Sequence, residues 1–461
     1  MGQEKLKFID DSIKISFDRS HRKKIKFNMT RYHNSVKKGK LQYTDLELAR
    51  NRASFLKQRV IENLNEYLIE FESRFLENGG KLIYAVDSDD AIQNILSILN
   101  NYKSDIIVKS KSIISEEIHL NEELQKINNE PIETDLGEFI VQIAGEKPYH
   151  IITPAMHKSK EDVAKLFNEK YNLKNYSTPE EITAFVRSLL REKFYNSDIG
   201  FTGVNFMIAE TGSICLTENE GNGVLTMSFP KIHIAIAGIE KIIPKLNDLN
   251  TYWPLLSTYG TGQNVTVYNS IISGPKKENE IDGPEELYLI LLDNGRTKIL
   301  DDKKVRDSLK CIRCGSCLNN CPIYHTIGGY TYDVPYSGPI GKVISQYLFG
   351  YEEYAHLTQA CSVCGKCKEE CPVKIDLPKI ILRKRNSYSI NGPNYLIERI
   401  ATRFWSSFML KRKWIDKGKP SLKRSALKLI MKNNWGKRRQ EPYLADKSFN
   451  KLWREKNNII S

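Results

Sequence analysis

The chain has 461 residues, of which 40% are apolar and 27% charged, with a formal net charge of +13; this composition is typical of a globular protein with two or three domains. No stretch approaches the roughly 20 apolar residues of a membrane-spanning helix, and the N-terminal MGQEKLKFIDDSIK lacks the apolar core of a secretory signal. We therefore expect a cytoplasmic protein, in which cysteines serve metal or redox chemistry more often than disulfides.

Residues 1–78 are predicted to be helical. The segment from Asp45 to Leu76 keeps apolar residues at helical spacing, and Gly79 and Gly80 follow it as a helix stop. We expect this segment to precede the first sheet domain.

Residues 79–301 are predicted to form one α/β domain. Strands are expected at Lys81–Val86, Asp105–Ser110, Pro131–Thr134 and His150–Thr153, and then in a strand-rich part at 203–210, 213–218, 233–238 and 287–293. Helices are expected after Asp87, Ser112, Ser159 and Thr178, the last with a capping box and Pro at its first position. Strands that alternate with helices indicate a largely parallel sheet.

Eight of the nine cysteines fall in two copies of one motif, CIRCGSCLNNCP from Cys311 to Pro322 and CSVCGKCKEECP from Cys361 to Pro372. A structural zinc site usually takes its four ligands from two separated CxxC pairs. Here each copy continues with a third Cys at the next CxxC step and a fourth Cys four residues later, followed by Pro, which is the spacing of bacterial two-cluster ferredoxins. The motifs predict two [4Fe–4S] clusters, with zinc and free thiols as the alternatives.

In this spacing the fourth Cys of each copy ligates the cluster held by the other copy. The first set of ligands is therefore expected to be Cys311, Cys314, Cys317 and Cys371, and the second set Cys361, Cys364, Cys367 and Cys321. The small residues Gly315 and Gly365 allow each loop to come close to its cluster. The ninth cysteine, Cys215, lies in an apolar strand and is predicted to be a buried small hydrophobe rather than a redox group.

Residues 386–461 are predicted to be a basic C-terminal extension, after a cysteine-rich domain at 302–385. From Arg383 to Ser461 there are 21 Lys and Arg against five Asp and Glu, which leaves the rest of the chain close to neutral. Tyr395–Ile415 has the pattern of an amphipathic helix. Such a basic extension is usually solvated or docks on an acidic partner. Peripheral membrane docking of the amphipathic helix is favoured over nucleic-acid binding.

Long motifs throughout the chain resemble one protein family. CIRCGSCLNNCPIYHTIGGYTYDVPYSGPIGKV and ACSVCGKCKEECPVKIDLP are similar to the iron–sulfur subunit of the three-protein bacterial lactate utilisation system, the lactate utilisation protein B family. Upstream, VKSKSIISEEIHLNEEL, ETDLGEFIVQIAGE, GVNFMIAETGSICLTENEGNG and GPEELYLILLDNGR resemble the LUD domain of that family. The likeness covers nearly the whole chain and is least distinctive in the first forty residues.

The resemblance implies both a fold and a function. The fold would be an α/β LUD domain, related to the parallel or mixed sheets of CoA-transferases, followed by an all-helical two-cluster ferredoxin module. The function would be electron transfer in the oxidation of L-lactate to pyruvate, alongside a cysteine-rich subunit, a second LUD-domain subunit and an electron acceptor outside this chain.

Two polar stretches of the α/β domain are candidates for ligand binding. Lys109–Ser112 joins a strand to a helix, and its ammonium, hydroxyl and backbone N–H groups suit an anion, although an ordinary helix cap explains the same residues equally well. Glu210–Asn222 crowds carboxylates and amides between strands and suits a polar ligand or a general base. A hairpin with turn residues is the simpler explanation of that second stretch.

Single histidines and acidic residues give no catalytic assignment. His233, His150 and His157 are each more often structural than catalytic in such contexts, and the cluster Glu133, Asp135 and Glu138 equally fits a solvated helix start. No GxGxxG or GxxxxGK[ST] motif occurs, since YGTGQN at 259–264 lacks the third glycine. The sequence therefore shows no fingerprint of a flavin or nicotinamide site, and the catalytic residues are not identified.

Two classes of function remain from the sequence. The chain is either the electron-transfer subunit of a lactate-oxidising oxidoreductase complex, or a LUD enzyme that binds a small molecule or an acyl-CoA and carries structural or regulatory clusters. Reversible redox cycling of the clusters distinguishes the two.

Overall fold

The computed structural model describes residues 2–102, 106–129, 131–391, 395–411, 419–431, 440 and 443–457. The chain forms two compact units, 1–386 and 387–461. The finer division of the first unit at residues 78 and 301 stays a prediction.

Four helices begin the chain: α1 Gln3–Ser16, α2 Arg19–Gly39, α3 Leu46–Glu62 and α4 Leu64–Glu77. The helix expected from Asp45 to Leu76 is therefore two helices, because Asn63 leaves helical geometry at φ −129° and ψ 38°. Asp45 caps α3 by accepting the N–H of Leu48 at 2.8 Å. As predicted, α4 ends before Gly79, whose φ of 89° suits glycine.

Ten strands follow in the part of the chain that the structure describes: β1 Lys81–Ala85, β2 Ile107–Lys109, β3 Ile132–Glu133, β4 Ile199–Gly203, β5 Phe206–Ile208, β6 Ser213–Glu218, β7 Ile232–Gly238, β8 Ile242–Ile243, β9 Tyr268–Ile272 and β10 Glu286–Leu292. Six of them form an all-parallel sheet in the order β1-β10-β7-β4-β2-β3, and the other four form a mixed sheet in the order β8-β5-β6-β9. The predicted α/β fold is confirmed, although Asp105 at the start of one expected strand lies outside the described residues.

The order in which the chain adds strands to the parallel sheet reverses between β2 and β4. The chain goes from β2 outward to β3, and then β4 lies on the other side of β2. In open parallel sheets, the crevice outside the carboxyl ends of strands at such a switch point is where ligands bind. This edge of the sheet is therefore the first place to search for a site.

The described residues between 79 and 301 also form nine α-helices: α5 Ser88–Asn100, α6 Ile113–Glu117, α7 Leu120–Lys126, α8 Leu136–Ile143, α9 Lys160–Tyr171, α10 Pro179–Tyr195, α11 Asn222–Ser228, α12 Leu249–Gly260 and α13 Arg296–Asp301. The predicted caps are present. Asp87 and Ser112 accept backbone N–H groups at the starts of α5 and α6, and Ser159 and Thr178 complete capping boxes on α9 and α10.

The strand expected at His150–Thr153 is wrong, because this segment is a loop without sheet pairing. His150 Nδ1 accepts the backbone N–H groups of Ile152 and Thr153 at 3.1 and 3.2 Å. These local bonds turn the backbone and use donors that a strand ladder would need.

The cysteine-rich region is all-helical, as predicted: α14 Ser316–Asn319, α15 Pro322–Ile327, α16 Gly338–Leu348, α17 Tyr351–Tyr354, α18 Lys366–Glu369 and α19 Leu377–Ile390. Its buried Leu318, Tyr324 and Val343 share one apolar core with Ile25 of α2 and Ala53 of α3. The N-terminal helices and the cysteine-rich helices are therefore packed as one body.

The second unit contains α20 Tyr395–Leu410, α21 Pro420–Met431 and α22 Phe449–Lys456. The amphipathic helix predicted for 395–415 is present up to Leu410, and Ile415 lies outside the described residues. Among the helices that the structure describes, none is long and apolar enough to span a bilayer.

Candidate functional site

The two cysteine loops have the same backbone conformation. Arg313 and Val363, each two residues after the first Cys of its motif, have φ of 60° and 55°, and Gly315 and Gly365 have φ of 73° and 86°. A left-handed conformation is a true outlier for a β-branched residue such as Val363, so the loop must impose it. Alternating backbone conformations of this kind direct successive N–H groups to one side and form an anion-binding concavity.

These N–H groups point at cysteine sulfurs. The N–H of Arg313 donates to Cys311 Sγ at 3.4 Å, and the N–H of Val363 donates to Cys361 Sγ at 3.3 Å. N–H donors to sulfur stabilise thiolates and tune the potential of an iron–sulfur cluster. The loops therefore fit the negative charge of a ligated cluster.

The four cysteines of the first set line one cavity. Cys311, Cys314, Cys317 and Cys371 surround it together with apolar side chains that include Ile312, Ile340 and Val373. Burial raises the pKa of Cys314 and of Cys317, and the charges of Cys311 and Cys371 raise both further. Buried thiolates this close to one another need a cationic group between them, because without one they would stay protonated.

The four cysteines of the second set also lie close to one another. Burial, together with the charges of Cys321, Cys361 and Cys364, raises the pKa of Cys367 to about 12. The ammonium of Lys342, which is fully buried, lies 4.0 Å from Cys321 Sγ. These contacts match the crossed pairing expected from the motif, and the assignment of the two sets as cluster ligands stays a prediction.

The two sets differ in exposure. Each set has two buried cysteines, Cys314 and Cys371 in the first and Cys367 and Cys321 in the second. Cys364 of the second set is exposed and the neighbouring Val363 is 36% exposed, whereas no cysteine of the first set is exposed. A group bound by the second set therefore lies closer to solvent than one bound by the first set.

A cavity of about 740 Å³ opens at the carboxyl edge of the parallel sheet. Its walls include residues that follow β2, β4 and β7, namely Lys111, Asn205 and Lys241. The His150–Thr153 loop and Arg313 of the first cysteine loop complete it. The volume is within the range of small-molecule pockets, and the location is the switch point described above.

The first polar stretch predicted from the sequence is divided between core and cavity. Lys109 is fully buried and its ammonium lies 2.8 Å from Glu133, 3.5 Å from Glu116 and 3.7 Å from Glu138. Burial alone would lower the pKa of Lys109, but these carboxylates outweigh it and leave the pKa raised. Lys109 is thus an internal counter-ion, while Ser110, Lys111 and Ser112 line the cavity.

The second stretch, Glu210–Asn222, is also divided. Glu210 accepts the N–H of Leu246 at 3.0 Å and lies outside the cavity wall. Thr217–Glu220 and Asn222 line the cavity, but Glu218 and Glu220 already accept backbone N–H groups at helix starts. Burial raises the pKa of Cys215 to about 12, as expected of a buried structural thiol.

The structure places three histidines, which the sequence could not distinguish, in different environments. His233 is fully buried 2.7 Å from Thr202, and burial lowers its pKa to about 3. His157 pairs with Glu146 at 2.7 Å. His150 lines the cavity, and burial lowers its pKa to about 4.

A buried ion network joins the sheet edge to the first cysteine loop. Arg296 donates from Nε to Glu240 at 2.6 Å and from both Nη atoms to Glu117 at 2.8 Å. Arg313 Nη2 donates to the other oxygen of Glu240 at 3.1 Å. Burial alone would raise the pKa of Glu240, but the charges of Arg296 and Arg313 hold it well below its usual range.

Two cations of this region were missed from the sequence. Arg313 is hidden inside a CxxC step, where the cysteines explain the motif without it. Lys241 follows β7 at the sheet edge and lines the cavity, and burial lowers its pKa to about 8. Both residues become visible as candidates only in the folded structure, where Arg313 of the cysteine loop contacts Glu240, the neighbour of Lys241.

Comparison with known families matches a LUD domain at residues 68–292 and a 4Fe-4S dicluster domain at residues 307–375. Lactate utilization protein B 2 of Bacillus mycoides is 40% identical over 399 residues, which are 86% of this chain and 83% of that protein. Lactate utilization protein B of Bacillus thuringiensis is 39% identical with the same coverage. The uncharacterized electron transport protein YkgF of Escherichia coli is 40% identical over 77% of this chain and 75% of its own.

Among solved structures, a DUF162 family protein from Deinococcus radiodurans aligns with 50% of this chain and 98% of its own length. The identity is 13% and the TM-score 0.27.

Proposed function

This chain belongs to the lactate utilization protein B family, and from that premise we propose that it transfers electrons through two [4Fe–4S] clusters in the oxidation of L-lactate to pyruvate. The observation that carries the proposal is the pair of cysteine loops with positive φ at matching positions, each with a backbone N–H that donates to the sulfur of its first cysteine. The matched dicluster domain covers both loops.

The stoichiometry of the reaction agrees with two clusters. Oxidation of lactate to pyruvate releases two electrons and two protons, and each bound [4Fe–4S] cluster would accept and release one electron. The chain supplies the cysteines of both sets and the buried Lys342 beside Cys321. It carries no recognisable flavin or nicotinamide motif, so the first step on lactate belongs to a partner or to a shared interface.

The difference in exposure between the two sets suggests where electrons cross to a partner. Electron transfer between proteins needs a short distance, and Cys364 of the second set is exposed whereas Cys314 is buried. The second set is therefore the side at which a partner subunit or the electron acceptor docks. The partners we propose are the cysteine-rich subunit and the second LUD-domain subunit of a lactate utilisation system, in the cytoplasm.

The cavity supports a second candidate function. A LUD enzyme that binds a small molecule or an acyl-CoA would use the space of about 740 Å³ at the sheet edge, with clusters that are only structural or regulatory. An anaerobic redox titration followed by electron paramagnetic resonance distinguishes the two. Reversible one-electron cycling of both clusters supports electron transfer, and clusters that break down on reduction support the second candidate.

The basic C-terminal unit is proposed to dock on a partner or on a membrane surface rather than on nucleic acid. Along α20, Leu396, Ile400 and Phe404 are exposed at four-residue spacing, which is one face of a helix. Flotation of the protein with anionic and with neutral vesicles tests whether it binds a membrane surface. Binding to random DNA that falls steeply with salt would instead indicate nucleic acid.

A further inference from the structure

Arg313 stands in the wall between the sheet-edge cavity and the first set of cysteines. It lines both cavities, and its side chain is 8% exposed. One nitrogen, Nη2, donates to Glu240, and the guanidinium lies 4.6 Å from the ring centre of Tyr336. Nε and Nη1 are buried and have no hydrogen-bond partner among the described residues. Buried guanidinium donors without an acceptor are costly and call for an explanation.

The surroundings of Arg313 have more cations than carboxylates. Glu240 is shared by Arg296 and Arg313, and Glu117 is bound by Arg296. Lys241 also lines the cavity and forms no ion pair within the ranges that the structure describes. Arg296, Arg313 and Lys241 thus outnumber the two carboxylates, and the sulfur of Cys311 is a further group whose negative charge acts on Arg313 and Lys241.

A second unpartnered donor lies elsewhere on the same cavity wall. His150 is 3% exposed, and its Nε2 is buried with no partner in the described chain, although Asn319 lies beside it. Because Nδ1 accepts two backbone N–H groups, the proton of the neutral ring is on Nε2. Nε2 is therefore a donor, and an acceptor in the cavity would compete for it with the side chain of Asn319.

We propose that the cavity binds a small organic molecule through an oxyanion, a carboxylate or a phosphate, held by Arg313 and Lys241, with His150 donating to a second polar group of the same ligand. The space of about 740 Å³ accommodates a molecule as large as a nucleotide. The proposal goes beyond electron transfer itself, because it places a ligand directly against the loop that carries the first set of cysteines.

The location has a consequence for the first cluster. An anion beside a cluster held by the first set would disfavour an added electron, so binding would lower the reduction potential of that cluster, and by linkage the anion would bind more tightly to the oxidised protein. A tenfold preference for the oxidised form corresponds to a shift of about 59 mV for one electron.

The test is equilibrium binding to the full-length, cluster-loaded protein under anaerobic conditions. L-lactate and pyruvate serve as carboxylate probes, and inorganic phosphate, ADP and coenzyme A as phosphate probes. We expect at least one probe to bind with a Kd below about 1 mM, and Arg313→Gln and Lys241→Gln each to weaken it at least tenfold. Binding of carboxylates alone identifies an organic acid as the ligand, and binding of phosphates alone identifies a nucleotide-like ligand.

Controls keep the result interpretable. Lys366→Gln removes an exposed charge beside the second set, where Lys366 pairs with Glu369 at 2.7 Å, and should leave binding unchanged. Lys241 lies outside the cysteine loop, so Lys241→Gln reports on the cavity even where Arg313→Gln disturbs cluster assembly. If no probe binds, or if both cavity variants bind like the parent, the proposal is overturned. Reversible cluster reduction in the same samples tests the proposed function separately.

Discussion

Substitution of Arg296 by Met should destabilise the first unit strongly. Arg296 is 1% exposed and holds two carboxylates, Glu117 and Glu240, that are equally buried. Within the part of the chain that the structure describes, its removal leaves Glu117 with the side-chain donors Tyr336 and Asn294, and leaves Glu240 with Arg313. Breaking a buried ion pair from one side costs about 3–5 kcal/mol, because the remaining charge is uncompensated.

The expected shift in melting temperature follows from the size of the unit. At about 2.1 cal/mol/K per residue, the unit from Met1 to Asn386 has an unfolding entropy of about 0.8 kcal/mol/K. A loss of about 4 kcal/mol therefore lowers Tm by about 5 °C. The assay is anaerobic differential scanning calorimetry of the cluster-loaded protein at pH 7.

A matched exposed arginine provides the control. Arg74 pairs with Glu77 at 2.9 Å, and both side chains are more than half exposed, so Arg74→Met should lower Tm by about 1 °C or less. Adding Glu117→Gln to Arg296→Met removes one uncompensated charge and should recover part of the loss. If the Arg296→Met variant had the same Tm as the Arg74→Met control, the claim that Arg296 stabilises the two buried carboxylates would be refuted.

Three further predictions concern the clusters and pH. Anaerobically purified protein should contain about eight iron and eight sulfide per chain, and a colourless protein with one or two zinc ions would contradict both clusters. Cys371→Ser should change the electron paramagnetic resonance signal of the first cluster and Cys321→Ser that of the second, whereas self-contained motifs would show the reverse. Burial lowers the pKa of His233 to about 3 from a usual 6.5. As the pH falls below 6.5, His233 is therefore protonated in the unfolded chain but not in the folded one, and its contribution to stability is lost. His233→Gln should therefore flatten the decline in unfolding free energy between pH 6.5 and 5, by at most about 1.4 kcal/mol per pH unit, and an unchanged slope in chemical denaturation would exclude this source.

Local patterns of the sequence predicted most of the fold. The caps at Asp87, Ser159 and Thr178 depend on bonds within one helical turn, and each begins a helix as expected. The parallel sheet followed from the alternation of strands and helices, since parallel neighbours need a crossover between them. The strand predicted at His150–Thr153 was wrong. Its apolar residues suggested a strand, but the His150 side chain accepts hydrogen bonds from the backbone of the same segment and turns it into a loop.

The candidate site depended on contacts that no local pattern carries. The position of Lys109 at the end of a strand suggested an anion site, yet three carboxylates from other elements surround it. Arg313 and Lys241 are 72 positions apart in the sequence, and only the packing of the cysteine loop against the end of β7 places both on one cavity. The cysteine spacing, by contrast, is a local pattern, and the two sets of ligands that it predicts stay a prediction.

The central claim is that electrons from L-lactate reach the clusters of this chain through its partners. The most direct measurement is anaerobic stopped-flow spectroscopy of the cluster absorbance after L-lactate is added, with the chain alone and with the cysteine-rich and second LUD-domain subunits present. We predict that the clusters stay oxidised in the chain alone and are reduced when the partners are present. Clusters that remain oxidised with the complete set of subunits, while pyruvate is formed, would contradict the account.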